Sequence, residues 1–220
     1  MHRTPAILDQ PEGAHRKGGQ LITELALEIQ ELAGDTPRFV LGLAGAPASG
    51  KSTLAAALAR ALPEAAVLPM DGFHLDDAIL RAHGTLNRKG APHTFDVDGF
   101  ISTLIRLKTG QTLFAPGFDR DLEIARAGAV EIPPQTRIVL VEGNYLLHDT
   151  GGWQAVRPAL DACWGLDVPD GVLQKRLTAR WAGYGHSPDR AAARIAENDL
   201  PNARLVAASL HRADRLIANL

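Results

Sequence analysis

The chain has 220 residues, a formal net charge of -2 and one cysteine, and its pI is near 6.4. That length supports one sizeable α/β core, with or without a lid, but not two full domains. The near-neutral balance excludes a global basic field of the kind that draws a protein to nucleic acid or an anionic membrane, and a single cysteine excludes an internal disulfide. Residues Met1 to Gly19 mix Pro, Gly, His and charge without an apolar stretch, and no later segment approaches the ~18 apolar residues of a membrane span. The expectation is a cytoplasmic chain with no membrane or nucleic-acid partner, in which Cys163, beside Trp164, is a small buried hydrophobe.

Residues 1–17 read as a flexible arm ahead of a single domain over 18–220. Leu21, Leu25, Ile29 and Leu32 recur at helical spacing until Gly34 and Pro37 stop the pattern. Phe39 to Leu43 has the length and composition of a buried strand, and a helix from Thr53 to Leu62 ends at Pro63. Between them Gly45-Ala46-Pro47-Ala48-Ser49-Gly50-Lys51-Ser52 reads G-x-x-x-x-G-K-S. Strand, small-residue loop and helix in that order let backbone N–H groups of Gly45, Ala46, Ala48, Ser49, Gly50 and Thr53 converge on a phosphate at the positive end of the helix. Lys51 would reach the β- and γ-phosphates and the Ser52 hydroxyl would ligate Mg²⁺. Binding of a nucleoside triphosphate follows from this pattern, and the cofactors expected are ATP and Mg²⁺.

Ala66 to Met70 predicts a second strand with Asp71 at its C-terminal end. The segment 72–135 is less regular and is expected to face the substrate. It contains a helix over Phe100 to Lys108, a short strand near Thr112 to Phe114, and alternation in Leu122, Ile124, Val130 and Ile132 that predicts a hairpin turning around Arg126-Ala127-Gly128. Arg137 to Gly143 is an apolar run closed by Glu142, as suits the central strand of a parallel sheet. Cys163 to Val168 predicts another strand, followed by a helix from Asp170 carrying Arg176 and Arg180. Gly183 and Gly185 offer a hinge within a lid over 172–190. Helices over Pro188 to Asn198 and Ala203 to His211 and a strand over Asp214 to Ile217 close the chain. Strands alternating with helices predict a doubly wound, mainly parallel sheet with right-handed crossovers.

A phosphate loop does not say whether the γ-phosphoryl group goes to water or to a substrate, so the other strand ends must decide. Ligands of open parallel sheets gather at the carboxyl ends of strands. Asp71 could there deprotonate an attacking hydroxyl, or merely cap the turn that follows it. Glu142 could hold a metal-bound water or a substrate hydroxyl, or be held by local loop amides. Arg176 and Arg180, four residues apart, share a helix face and could neutralise charge on the moving phosphoryl group, with an ordinary solvated face as the competing reading. Arg88, Lys89 and His74 could contact a polyhydroxylated or anionic acceptor. Of Phe73, Phe95, Phe114 and Phe118, at least half are expected in the core and the rest in an acceptor pocket. His74, His83 and His93 match no zinc spacing, and no cysteine completes a site.

Taken together these residues resemble the P-loop kinase family that includes uridine kinase, phosphoribulokinase and the bacterial type of pantothenate kinase, over roughly residues 38–217. The resemblance is carried by the phosphate loop with Met70-Asp71-Gly72-Phe73-His74, Arg88-Lys89-Gly90-Ala91-Pro92, Thr94-Phe95-Asp96, Phe118-Asp119-Arg120, Val141-Glu142-Gly143-Asn144-Tyr145-Leu146-Leu147 and Asn198-Asp199-Leu200-Pro201-Asn202. It implies a three-layer P-loop sandwich with a small substrate-facing insertion and a lid. The family's catalytic aspartate matches Asp71, its acid after the central strand Glu142, and its lid arginines Arg176 and Arg180. Family members often carry Tyr-Asp where this chain has Phe118-Asp119, which leaves Asp119 and Arg120 as the acceptor contacts there. Within the family the chain looks most similar to a bacterial subgroup labelled nucleoside/nucleotide kinase-like or fructose transport system kinase, which implies a small hydroxyl acceptor such as fructose; a homodimer is compatible with this. The alternatives are a kinase of pantothenate or a nucleoside, and a nucleotide-dependent switch or transport-coupling NTPase. Against the switch, the chain lacks an Asn-Lys-x-Asp guanine-reading element.

Overall fold

The computed structural model describes residues 12–218. The chain runs through α1 (Glu12–Ala33), β1 (Phe39–Gly45), α2 (Lys51–Ala61), β2 (Ala65–Pro69), α3 (Asp77–Ala82) and α4 (Val97–Leu107). It continues through β3 (Leu113–Asp119), β4 (Ile124–Ile132), β5 (Ile138–Gly143), β6 (Ala162–Asp167), α5 (Asp170–Gly183), α6 (Pro188–Arg194), α7 (Leu200–Ser209) and β7 (Arg215–Ala218). Of the expected N-terminal arm, residues 1–11 lie outside the described residues, and α1 already begins at Glu12.

Five strands form a sheet in the order β2-β5-β1-β6-β7, every pairing parallel. β1 lies at its centre and is buried along its whole length. Its side chains alternate between two apolar layers, as the two-residue period of a strand requires. Val40 and Ala44 face α4, Trp153 and α7, while Leu41 and Leu43 face Leu25 and Ile29 of α1 and Leu54 and Leu58 of α2. The result is the expected three-layer α/β sandwich. The stripe of α1 that enters the core is Leu25, Ala26, Ile29 and Ala33, whereas Leu32 is exposed. Cys163 is fully buried and its thiol is pushed up to about 12, chiefly by burial.

The second sheet is the antiparallel hairpin β3-β4, and its turn differs from the sequence expectation. The chain reverses at residues 120–123, not around Arg126-Ala127-Gly128. The Asp119 carboxylate accepts the amides of Asp121 and Leu122 at 3.1 Å each, an Asx-type turn, and Glu123 takes φ 55. The segment around Gly128 is instead an irregularity within β4, where the register shifts opposite Ala115 to Gly117.

The C-terminal helices also join differently from expectation. α6 and α7 are linked without a break by a π-helical turn over Ile195–Asp199, so that α7 begins at Leu200 and not at Ala203. Pro201 explains the irregularity: it has no N–H to donate to the carbonyl of Glu197 four residues earlier. That carbonyl accepts instead from Arg88, far away in the chain.

Candidate active site

Each parallel strand ends on the same side of the sheet, where a cleft of about 1480 Å³ is lined by Lys51 at the start of α2 and Asp71 after β2; Glu142, at the end of β5, is buried and is not among its lining residues. Register puts Glu142 opposite Leu43 of β1 and Pro69 of β2. It therefore lies between the root of the phosphate loop and the turn that carries Asp71. Gly50, with φ 98, makes the left-handed turn that starts α2 and that a side chain would strain. The Ser49 hydroxyl is buried in the loop with no hydrogen-bond partner among the described residues.

Asp71 sits in a short 3₁₀ turn, Met70–Phe73, directly after β2. Gly72 permits the hairpin to come close, because a Cβ there would meet the Pro116 carbonyl oxygen at 2.2 Å. The approach brings Arg120 of the hairpin turn into an ion pair with Asp71. Burial raises the proton affinity of Asp71, but Arg120, His74, Lys51 and Arg180 together outweigh it and hold the carboxyl below its ordinary range. Glu142 goes the other way: burial raises it, with Lys51 and a hydrogen bond from Ser52 opposing and Asp71 adding to the rise. Lys51 is lowered by burial despite the two acids beside it. One ammonium thus sits among two carboxylates at the foot of the phosphate loop.

The side of the cleft next to Asp71 is built on aromatic rings. His74 packs on Phe95 with ring centroids 4.1 Å apart and on Phe118 at 4.8 Å. Its Nδ1 lies 2.8 Å from the Asp71 carbonyl oxygen, which sets Nδ1 as donor and turns Nε2 away. Lys89 donates to the Asp77 carboxylate and the Glu123 carbonyl, both at 2.6 Å. Phe95 and Phe118 line the cleft, while Phe73 is buried against Phe100 and Phe114 is exposed.

Two expected acceptor contacts are engaged elsewhere. Arg88 donates to the Glu197 carbonyl, and Asp119 caps the hairpin turn and pairs with Arg126 at 3.0 Å. Neither is among the residues lining the cleft.

Above the loop, Arg176 of α5 donates to the carbonyls of Ala48 and Ser49 at 3.4 and 3.1 Å. Arg180, one turn on, lies over the Tyr184 ring and lines the same cleft. Sequence reasoning singled out no role for Trp181, Asp199 or Asn202, yet they organise this wall. Trp181 Nε1 donates to the Asp199 carboxylate at 2.7 Å, and Asp199 is raised by burial with that bond opposing. Asn198 donates to the Lys89 carbonyl at 3.0 Å, and Asn202 and the Tyr145 hydroxyl donate to the Gly90 carbonyl at 3.4 and 2.5 Å. The available signal was a pair of asparagines at i and i+4, Asn198 and Asn202, flanking a proline.

The fold and this strand-end cleft define a P-loop nucleotide-binding protein of the α/β class. No protein-family model matches the chain. Among curated proteins it is 32% identical over 211 residues to the "Putative uridine kinase" of Schizosaccharomyces pombe, covering 90% of both chains. Among solved structures it is similar to the "putative fructose transport system kinase" from Silicibacter sp. TM1040, with TM-score 0.82 and 44% identity, over 89% of this chain and 98% of that one. YFH7 from Saccharomyces cerevisiae shares the fold, with TM-score 0.80 at 20% identity, over 90% of this chain and 99% of that one. The chain belongs to the P-loop kinases of the uridine kinase and pantothenate kinase type. It is a phosphotransferase with an alcohol acceptor. Among the described residues no helix is long and apolar enough to cross a membrane.

Proposed function

We propose that this kinase transfers the γ-phosphoryl group of ATP to a hydroxyl of a small sugar-class metabolite, with fructose the first acceptor to assay. The observation that carries the reading is the mutual proximity of Lys51 at the start of α2, Asp71 after β2 and Glu142 at the end of β5, with Lys51 and Asp71 lining a cleft whose other wall is aromatic and hydroxyl-compatible. In the transfer the acceptor oxygen forms a bond to Pγ, the bond from Pγ to the β,γ-bridging oxygen breaks, and ADP leaves with that electron pair. The hydroxyl proton passes to the Asp71 carboxylate. Lys51 holds the β- and γ-phosphates, and Arg176 and Arg180 reach over them from the lid. Such catalysis is chiefly positioning and charge neutralisation.

Mg²⁺ is part of the proposal. The oxygen donors at the foot of the loop, the Ser52 hydroxyl and the Glu142 carboxylate it bonds to, suit a hard cation that binds through few protein ligands and several waters. When bound, the ion neutralises charge on the β- and γ-phosphate oxygens.

The reading is tested by ADP release from MgATP with fructose and other sugars, ribulose 5-phosphate, pantothenate and uridine, with Lys51→Ala as the blank. Stimulation by a sugar or sugar derivative is expected. Stimulation by pantothenate or uridine alone would overturn the acceptor class, and Lys51-dependent hydrolysis indifferent to every acceptor would overturn the acceptor reading altogether.

A further inference from the structure

Asp71 would take the proton of the acceptor hydroxyl, and in the empty cleft the guanidinium of Arg120 is paired with its Oδ2. Two cations crowd this end of the cleft: the Lys89 ammonium lies 5.4 Å and the Arg120 guanidinium 5.3 Å from the centroid of one ring, Phe118. They differ in freedom. Lys89 is 11% exposed and held by two short hydrogen bonds. Arg120 is 42% exposed and projects from a hairpin turn, so it can change partner without moving the core. Its planar fork of donors matches a carboxylate or a phosphate with two parallel bonds.

Resting on the kinase reading above, we infer that the acceptor carries an anionic group, a phosphate or a carboxylate, besides its reactive hydroxyl, and that Arg120 leaves Asp71 to bind that group. In the empty cleft Arg120 neutralises the carboxylate. Once the acceptor anion draws the guanidinium away, Asp71 faces the hydroxyl unpaired and more basic. A neutral acceptor gives Arg120 no reason to leave. Recognition of the anion and exposure of the proton acceptor are thus one movement, with Arg120 a specificity-determining and positioning residue.

The test uses the full chain saturated with Mg²⁺ and a non-hydrolysable ATP analogue, so that the phosphate loop is filled. Calorimetric titrations with D-fructose, D-fructose 6-phosphate and D-gluconate compare a neutral sugar, a phosphate and a carboxylate. We expect at least one of the two anions to bind tenfold or more tightly than fructose. Arg120→Met should abolish that preference, and Arg120→Lys, which keeps the charge but not the planar fork, should restore only part of it. The exposed turn position leaves the fold intact in both variants, checked by an unchanged Tm. Preference for the phosphate over the carboxylate, or the reverse, identifies the anion. Binding of fructose as tight as that of either anion, undetectable binding of both anions, or a preference that survives in Arg120→Met would overturn the inference.

ADP release separates this result from the kinase reading. Turnover of fructose alone sinks the inference and leaves the kinase assignment standing. Arg120-dependent anion binding without acceptor-stimulated ADP release supports the inference and sinks the proposed reaction.

Discussion

Gly72→Ala tests whether the hairpin must sit against the Asp71 turn. The new Cβ would lie 2.2 Å from the Pro116 carbonyl oxygen, 2.6 Å from its carbon and 3.0 Å from the Gly117 Cα, all of them backbone atoms with no rotamer to escape into. Reaching ordinary contact requires the hairpin to retreat by about 1 Å, carrying Phe118 and Arg120 with it. Overpacking of this kind costs about 1–3 kcal/mol, and for a chain of this size each kcal/mol lowers Tm by about 2–4 °C. A displacement near 1 Å on the acceptor side should lower kcat/KM for the acceptor by about 100-fold. The KM for ATP should hold, because the atoms that the new Cβ meets most closely belong to the hairpin and not to the phosphate loop or α2. Steady-state ADP release at saturating ATP, paired with thermal unfolding, reads both effects. Wild-type kcat/KM with an unshifted Tm would refute the argument.

Asp71→Asn should lower kcat by about 10²–10⁴-fold, the usual worth of a positioned general base, while a nucleotide titration finds ATP binding retained; wild-type turnover would remove Asp71 from its role. Arg176→Ala deletes the bonds to the Ala48 and Ser49 carbonyls and should weaken ATP binding by about tenfold, from about 1.4 kcal/mol, as measured by calorimetry. Burial, opposed by Asp71, holds His74 below 6.5, so the fold favours the neutral ring. The stability this gives is present above the unfolded value and is lost as pH falls from 6.5 through the lower folded value. Unfolding scans across that window should show a falling Tm that His74→Gln flattens. Arg38, 3% exposed, donates to backbone carbonyls that include those of Thr136, Leu107, Gln111 and Pro133. Arg38→Met leaves them unpaired and should cost about 2–4 kcal/mol in a denaturant titration with KM values untouched.

Local signals carried most of the fold. β1, the phosphate loop, α2, β5 and the Asp71 and Glu142 strand ends were legible because each is specified by contiguous residues: an apolar run of strand length, small residues, a terminal acid. The hairpin turn was misread because Gly128 is a strong local turn signal. The carboxylate of Asp119, by capping two amides, moved the reversal upstream, and Gly128 was absorbed as a bulge.

What the sequence alone determined was the nucleotide half of the site, where the chemistry lies within one loop and the strand beside it. The opposite wall of the cleft and the segments behind it were decided only by tertiary structure, since their contacts join residues far apart in the chain: Arg88 to Glu197, Asn198 to Lys89, Arg120 to Asp71. Whether a given arginine serves a backbone carbonyl, a carboxylate or an open cleft depends on which groups folding buries without partners. Arg88 answers the carbonyl that Pro201 cannot satisfy, and Arg120 the carboxylate that β2 brings to the cleft. That demand exists only once the sheet, the hairpin and the lid have come together, and no spacing along the chain encodes it.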